Sequence, residues 1–417
     1  MRVELVNTGT ELLLGDTVNT NAAWIGQRLA ALGIQVARQT IVPDGAVIRM
    51  ALAEAAQRAD VVLVSGGLGP TNDDLTRESA AELLSLPLEL DETVIAHLRE
   101  YFAKRNKPMS QANQRQAMVP RGALVLPNPF GTAPGLYFPA RLGEVLGWNA
   151  HLFLLPGPPR ELKPMFENEV EPRLREWLPD GKSRQVLYLK ITGVGESDIV
   201  EAVEKRLECV PGLDLGYCIR KGDVDVRLSG GQSNVTAGAN IVREAFSDCI
   251  VSEDRRIIEE VIVQLLSERH EWLATAESCT GGAISSRITD VSGASQVFGH
   301  GWVTYANESM QSQLGVAAQL LENFGAVSEE VARAMAEGAL HRSGADHALA
   351  VTGIAGPNGG TAEKPVGTVW IALASKSSPT WAVRRFYPGT RDRFKLLTSQ
   401  AALELLRRRL RRLPPER

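Results

Sequence analysis

Three short strand-like runs open this chain, and two helix-like segments separate them. Arg2–Asn7 (RVELVN), Ile34–Ile41 and Val61–Ser65 (VVLVS) read as strands. Between the first two, Asn19–Leu32 offers Ala23, Ile25, Leu29 and Leu32 for one helical face and meets a natural stop at Gly33. Val47–Arg58 reads as the second helix. This strand–helix alternation predicts a parallel sheet covered by helices on both faces. The segment runs on through a helix near Asp91–Arg105, a Pro/Gly-rich stretch at Pro127–Gly135, a strand at His151–Leu155 and a helix near Glu161–Trp177.

A chain of 417 residues is too long for one core, and length alone predicts roughly two to four domains. Leu178–Gly181 (LPDG) and Ser252–Arg256 (SEDRR) read as linkers. They divide the chain into residues 1–178, 179–251 and 252–417. The middle part shows a strand at Val186–Ile191, a helix at Glu196–Leu207, strands at Leu213–Ile219 and Val224–Leu228, and a helix at Val235–Asp248. The third part alternates again. Helices are expected at Ile257–Arg269, Val327–His341 and Phe394–Arg412, and strands at Trp272–Ala276, Val303–Asn307, Ala348–Thr352 and Val366–Ala374. The fold class expected is α/β, with two doubly wound α/β domains joined by a small α+β domain.

Charge and cysteine usage narrow the function. Lys and Arg number 45 against 49 Asp and Glu, a formal charge of −4, which counts against a dedicated nucleic-acid binder. The four cysteines, Cys209, Cys218, Cys249 and Cys279, form no CxxC pair, and a reducing cytoplasm fits them better than a disulfide scaffold. The opening MRVELVNTGTELLLG lacks the pattern of a signal peptide, and no apolar run is long enough to span a membrane. His151, His270, His300, His341 and His347 show no paired ligand spacing, so a histidine-ligated zinc site is not expected. Arg407–Arg409 with Arg411 and Arg412 read as a solvated basic end of the last helix.

Four loop-like runs belong to the first part: Thr8–Asp16 (TGTELLLGD), Gly66–Thr76 (GGLGPTNDDLT), Asn128–Gly135 (NPFGTAPG) and Pro156–Glu161 (PGPPRE). Ligands of open α/β sheets bind beyond the carboxyl ends of the strands. Glycines there let backbone amides approach phosphate oxygens, and Thr71 and Thr76 add hydroxyls. Asp73 and Asp74 suit a hard cation such as magnesium, with Glu11 and Asp16 as further oxygen ligands. These parts suit a phosphorylated ligand and metal-assisted attack by water. The bland alternative is that Asp73 or Asp74 caps the next helix. Neither a Walker A loop nor a GxGxxG run is present.

TGTELLLG, VNTN and SGGLGPTNDDLT resemble the N-terminal domain of the CinA family, a relative of molybdopterin-binding domains. The resemblance implies hydrolysis of ADP-ribose at its pyrophosphate with a divalent metal. It places Gly66, Gly67, Gly69, Thr71, Asp73 and Asp74 at the phosphates and metal, with Thr8, Gly9 and Glu11 lining the pocket.

The third part carries AESCTGG at Ala276–Gly282, YANESMQ at Tyr305–Gln311, VTGIAGPNGG at Val351–Gly360, EKPVGTVW at Glu363–Trp370 and FYPGTR at Phe386–Arg391. Ser278 follows a strand and precedes two glycines and a helix, so its hydroxyl is expected near free amides that hold an oxyanion. The plainer readings are a serine N-cap and an inert buried Cys279. These runs resemble the family's C-terminal domain, a PncC-type amidohydrolase that deamidates nicotinamide mononucleotide. The resemblance implies Ser278 as nucleophile, assisted by Tyr305 and Thr352, with Gly281, Gly282, Gly353 and Arg391 at the substrate and no cofactor. The family's lysine position falls on Met310, which cannot take a proton from serine; Lys364 is the nearest lysine in a matching run.

The resemblance spans the chain, and ITGVGESDI at Ile191–Ile199 is similar to the family's KH-like connecting domain, without a GxxG clamp. It implies a bifunctional hydrolase of pyridine-nucleotide salvage and a homodimer. The alternatives are a non-catalytic adaptor in competence or recombination, with a protein partner, and molybdopterin binding.

Overall fold

Val61, Leu63, Phe153 and Leu155 enter one apolar cluster while Val62, Val64, Leu152 and Leu154 enter another. Alternate residues of a strand point to opposite faces, so both faces of this sheet are covered, as the strand–helix alternation predicts. The computed structural model describes residues 1–178, 185–220 and 222–416. The expected Leu178–Gly181 linker therefore lies, after Leu178, outside the described residues. The chain divides into two compact units, Met1–Val186 and Leu187–Arg417.

The first unit is built on a six-stranded sheet in the order Val36–Val42, Val3–Thr8, Val61–Ser65, His151–Leu155, Gly135–Phe138, Leu124–Leu126. The first four strands run parallel and the last two are antiparallel additions. The helix Thr20–Ala31 packs on one face through Ala22, Ile25 and Leu29. Ala23, expected on that face, is exposed. The Asn19 side chain accepts from the Ala22 amide, and the turn that starts there sets the buried stripe one residue earlier. The helices Val47–Arg58 and Glu92–Ala103 cover the opposite face.

In the second unit the middle segment forms a four-stranded sheet, ordered Asp214–Ile219, Asp223–Gly230, Gln185–Thr192, Ile250–Ser252. The helices Glu196–Glu208 and Gln232–Phe246 pack on it. The Ser252–Arg256 stretch is tied down: Ser252 ends a strand and its hydroxyl donates to the Arg256 carbonyl at 2.7 Å.

The rest of the unit has a five-stranded sheet, ordered Phe298–Val303, Leu273–Glu277, His347–Gly353, Thr368–Ser375, Ser378–Phe386. The first three strands are parallel and the last two antiparallel. The expected strand at Val303–Asn307 is corrected. The strand is Phe298–Val303, and Asn307 already begins a helix. Gly299 and Gly301 hide it from a pattern reading, because glycine weakens the strand signal and is tolerated at an edge. One face of this sheet presents Ala274, Ala276, Ala348, Ala350, Ala372 and Ala374 to the helix Glu329–Ser343. The other face packs Leu273, Leu349, Val351, Ile371 and Leu373 against the helices Ile258–Arg269 and Arg391–Leu410.

The basic end of the last helix is a solvated face only at Arg411 and Arg412, which are exposed. Arg407 is fully buried, donates to the Asp248 and Ile250 carbonyls and pairs with Glu404. Arg408 is also buried, and the Arg409 guanidinium lies over the Trp381 ring at 3.7 Å. Arg407 joins the helix to the middle sheet, whereas Arg408 and Arg409 donate to the Pro414 and Pro379 carbonyls. Among the described residues no helix is long and apolar enough to cross a membrane.

Candidate functional sites

Loops at the carboxyl ends of the parallel strands enclose a cavity of about 350 Å³ in the first unit. Thr8, Gly9, Glu11, Gly66, Gly67, Gly69, Thr71, Asp73 and Asp74 all line it. Two expected residues do not. Asp16 lies past the end of the short helix Thr10–Leu14 and is absent from the wall. Thr76 is fully buried behind Gly67. Gly67 has φ +68°, and a Cβ there would stand 2.1 Å from the Thr76 hydroxyl. Only glycine lets the chain pass so close while turning with positive φ.

The loop is held by its own carboxylate. Asp74 Oδ2 accepts the Thr71 amide at 3.0 Å and the Thr71 hydroxyl. A Cβ on Gly69 would clash with that carboxylate at 2.3 Å. Hydrogen bonding from Thr71, and then from its own backbone, holds the Asp73 carboxyl below its usual range. Neither aspartate caps the following helix: its N-cap is Leu75, with no side-chain cap.

Two further carboxylates line the wall. Asp44 accepts the Thr10 amide at 3.0 Å and the Thr10 hydroxyl at 3.2 Å. Glu161 is buried, and its Oε2 accepts from Asn128 Nδ2 at 2.8 Å. The Pro43–Gly45 turn (PDG) and the PGPPRE run are the local signals for the two, but turn chemistry alone does not say which way a side chain points. Asn21 donates to the Gly157 carbonyl at 2.7 Å and Gln116 to the Leu68 carbonyl at 3.3 Å, bracing two of the loops. Among the described residues no three His, Cys, Asp or Glu side chains are arranged to hold a metal ion. The four carboxylates expected as ligands therefore do not form a cage.

The second candidate site is a cavity of about 210 Å³ lined by Ser278, Cys279, Tyr305, Met310, Thr352, Gly353 and Arg391, with Ala326, Val327 and Ala355. Runs far apart in sequence meet here. Arg391 Nη2 donates to the Tyr305 hydroxyl and Nη1 to the Gly356 carbonyl at 3.0 Å. The Thr352 hydroxyl donates to the Ala326 carbonyl at 2.7 Å. Lys364 does not line the cavity; its ammonium donates to the Phe324 carbonyl at 2.7 Å. Gly281 and Gly282 also stand off the wall, on the loop after Ser278. Met310 belongs equally to the apolar cluster of Ala274, Ala276, Leu314 and Val316. Burial pushes the Cys279 thiol up to about 12, so at neutral pH it is no thiolate nucleophile.

Of the amides expected to be free after Ser278, three are taken by Glu277. This fully buried carboxylate accepts from the Thr280 hydroxyl, the Gly282, Ile284 and Ser285 amides and the Ser285 hydroxyl, at 2.7–3.1 Å. The Gly282, Ile284 and Ser285 amides are therefore not available to an oxyanion. Ser278 is not a cap either, because the helix Ala283–Thr289 is preceded by Gly282 at its N-cap. Among the described residues on the wall only Cys279, Tyr305 and Arg391 are ionisable, and none is a carboxylate, histidine or lysine.

Comparison with known proteins agrees with this division. A family model described as a probable molybdopterin binding domain matches residues 4–176, and one described as CinA C-terminal domain matches residues 255–410. A CinA-like protein of Akkermansia muciniphila is 50% identical, over 97% of this chain and 96% of its own length. A putative competence-damage inducible protein of Symbiobacterium thermophilum is 46% identical, over 98% of this chain and 99% of its own. A putative competence-damage inducible protein of Moorella thermoacetica is 42% identical, over 99% of both.

Proposed function

The chain belongs to the CinA family, and from that premise we propose that its N-terminal cavity hydrolyses the diphosphate of ADP-ribose to AMP and ribose 5-phosphate. The observation that carries the reading is one cavity wall shared by the glycine loop Gly66–Gly69 and the carboxylates Asp73, Asp74, Glu11, Asp44 and Glu161. Glycines receive phosphate oxygens closely. A set of oxygen donors without a three-ligand cage suits a magnesium-like ion bound by one or two carboxylates together with the substrate's own phosphates. Asp73 and Asp74 would hold it. When bound, such an ion supplies charge neutralisation and a more acidic water.

The chain's own residues have separable tasks in this reading. Thr71 and Asp74 fix the loop, and Gly67 and Gly69 let it lie against Thr76 and Asp74 along the cavity wall. Water forms a bond to phosphorus, the bridging P–O bond breaks, and the water proton passes to a carboxylate. Glu161 is assigned that role, since Asn128 orients one of its oxygens on the cavity wall. The test is incubation of the purified protein with ADP-ribose, with and without divalent metal. AMP and ribose 5-phosphate are the expected products, and their absence under every metal tried would remove the reading.

For the C-terminal cavity the proposal is binding of nicotinamide mononucleotide with little or no deamidation. Deamidation needs a group that takes the Ser278 proton and delivers it to the departing amide nitrogen, which leaves as ammonia. Met310 stands where a lysine is expected, Lys364 is engaged elsewhere, and no carboxylate or histidine lines the wall. Calorimetric binding and ammonia release, measured on the same sample, separate binding from turnover.

A further inference from the structure

We propose that Lys395 and Arg391 form a phosphomonoester site between the Gly281 loop and the Ser278 cavity that Arg391 lines. The inference rests on the nucleotide-binding reading of that cavity and names the part of the ligand these residues take. It starts from Glu277. Loops that receive phosphates usually do so with backbone amides at a helix start. Here the Gly282, Ile284 and Ser285 amides are already taken by a buried carboxylate. An anion at this helix start cannot use those three amides, which leaves side chains to supply the charge that holds it.

Two cations are placed to do so. Arg391 lines the cavity, and the groups it touches, the Gly356 carbonyl and the Tyr305 hydroxyl, are both neutral acceptors. Lys395 lies four residues later on the helix Arg391–Leu410, which puts it on the same face. A Cβ built on Gly281 would stand 3.8 Å from the Lys395 ammonium, with nothing nearer. Gly281 is exposed and carries no side chain, so the space between loop and ammonium is open. Lys395 has no hydrogen bond or ion pair among the described residues. Arg391 opens a 20-residue helix, where the macrodipole disfavours a cation unless an anion is present. An ammonium has donors and no lone pair. Lys395 in this role binds phosphate and does not replace the proton acceptor absent at Met310.

The ligand chemistry is a phosphate monoester on a sugar, as in a nucleotide 5′-phosphate or a free sugar phosphate. The full-length protein should be titrated calorimetrically with ribose 5-phosphate, ribose and nicotinamide mononucleotide, alongside Lys395→Met, Lys395→Arg and Arg393→Met. The N-terminal cavity is untouched by these substitutions, so differences between the titrations belong to the C-terminal site. Ribose 5-phosphate should bind and ribose should not. Lys395→Met should weaken ribose 5-phosphate by about tenfold, the loss of one charge-assisted contact. Lys395→Arg should keep most of the affinity, and exposed Arg393→Met should keep all of it. Unchanged affinity in Lys395→Met, or an equal loss in Arg393→Met, overturns the site. Should Lys395 be required for ribose 5-phosphate while nicotinamide mononucleotide binds no tighter, the phosphate site stands and the nicotinamide reading falls.

Discussion

Glu277 takes both the amide and the hydroxyl of Ser285 on one carboxylate oxygen, at 2.8 and 2.7 Å. Its other oxygen gathers Thr280, Gly282 and Ile284. The loop that carries Ser278 is thus tied to the end of its own strand by one side chain. In Glu277→Gln an amide NH₂ would face donors where an oxygen now accepts. The substitution is expected to cost about 3 kcal/mol of stability. It should also speed hydrogen exchange at the Gly282, Ile284 and Ser285 amides. Unaltered exchange there would show that the loop is held by something else.

Asp73 and Asp74 should fail differently. Asp74 staples its loop through Thr71, whereas Asp73 is exposed and makes no comparable tie. Asp74→Ala is expected to lower thermal stability by about 1 kcal/mol and to abolish ADP-ribose cleavage. Asp73→Ala is expected to leave stability unchanged and to reduce cleavage alone. Melting curves and AMP release on both variants make the comparison; full cleavage in the double variant would contradict the assignment of this cavity.

Met310→Lys places an amine on the wall of the Ser278 cavity and at the edge of an alanine-rich cluster. Burying the charge should destabilise the protein by about 3 kcal/mol. Ammonia release from nicotinamide mononucleotide should rise, because a lysine in such surroundings can accept the serine proton. Ser278→Ala in that background should abolish the gain. Cys279→Ser should leave it, given that burial keeps the thiol protonated. A gain that survives Ser278→Ala would point to another nucleophile.

Asp223 predicts the direction of a pH effect. Burial, the largest influence, pushes its carboxyl from an ordinary value of 3.8 up to about 6, against opposing pulls from Thr192, Lys190 and Arg287 and a further push from Glu259. Gln400 Nε2 donates to it at 2.6 Å. A folded pKa above the unfolded one means that the folded state holds the proton longer. The stabilising contribution is complete below pH 3.8 and is lost as pH rises through about 6. The span corresponds to about 3 kcal/mol. Asp223→Asn should remove this fall and stabilise the protein at pH 7, measured by urea unfolding between pH 4 and 8. A wild-type profile that rises over pH 4 to 6 through this residue would reverse the sign and refute it.

Strand and helix periodicity decided the class of fold. VVLVS is apolar at every position but the last, and such a run is stable only when both faces are covered. The glycines and carboxylates of GGLGPTNDDLT likewise line the first cavity, where Gly66 and Gly67 turn with positive φ. Pattern reading failed where the signal was weak or local. Gly299 and Gly301 concealed an edge strand, and a run of arginines was read as solvated although Arg407 lies fully inside.

What the sequence determined by itself is the order of elements, the glycine turns and the kinds of groups at each loop, because these depend on neighbours a few residues apart. Only the tertiary structure decided which groups meet. Asp44 and Glu161 come from different loops to one wall, while Asp16, which is closer in sequence to Glu11, is left outside it. Glu277 has its donors within eight residues, yet nothing in ESCTGG says that its side chain turns inward to take the amides rather than outward to solvent. Lys395 reaches Gly281 across more than a hundred residues. A side chain's direction is set by the packing of the element that carries it, and that packing is fixed by contacts distant in the chain.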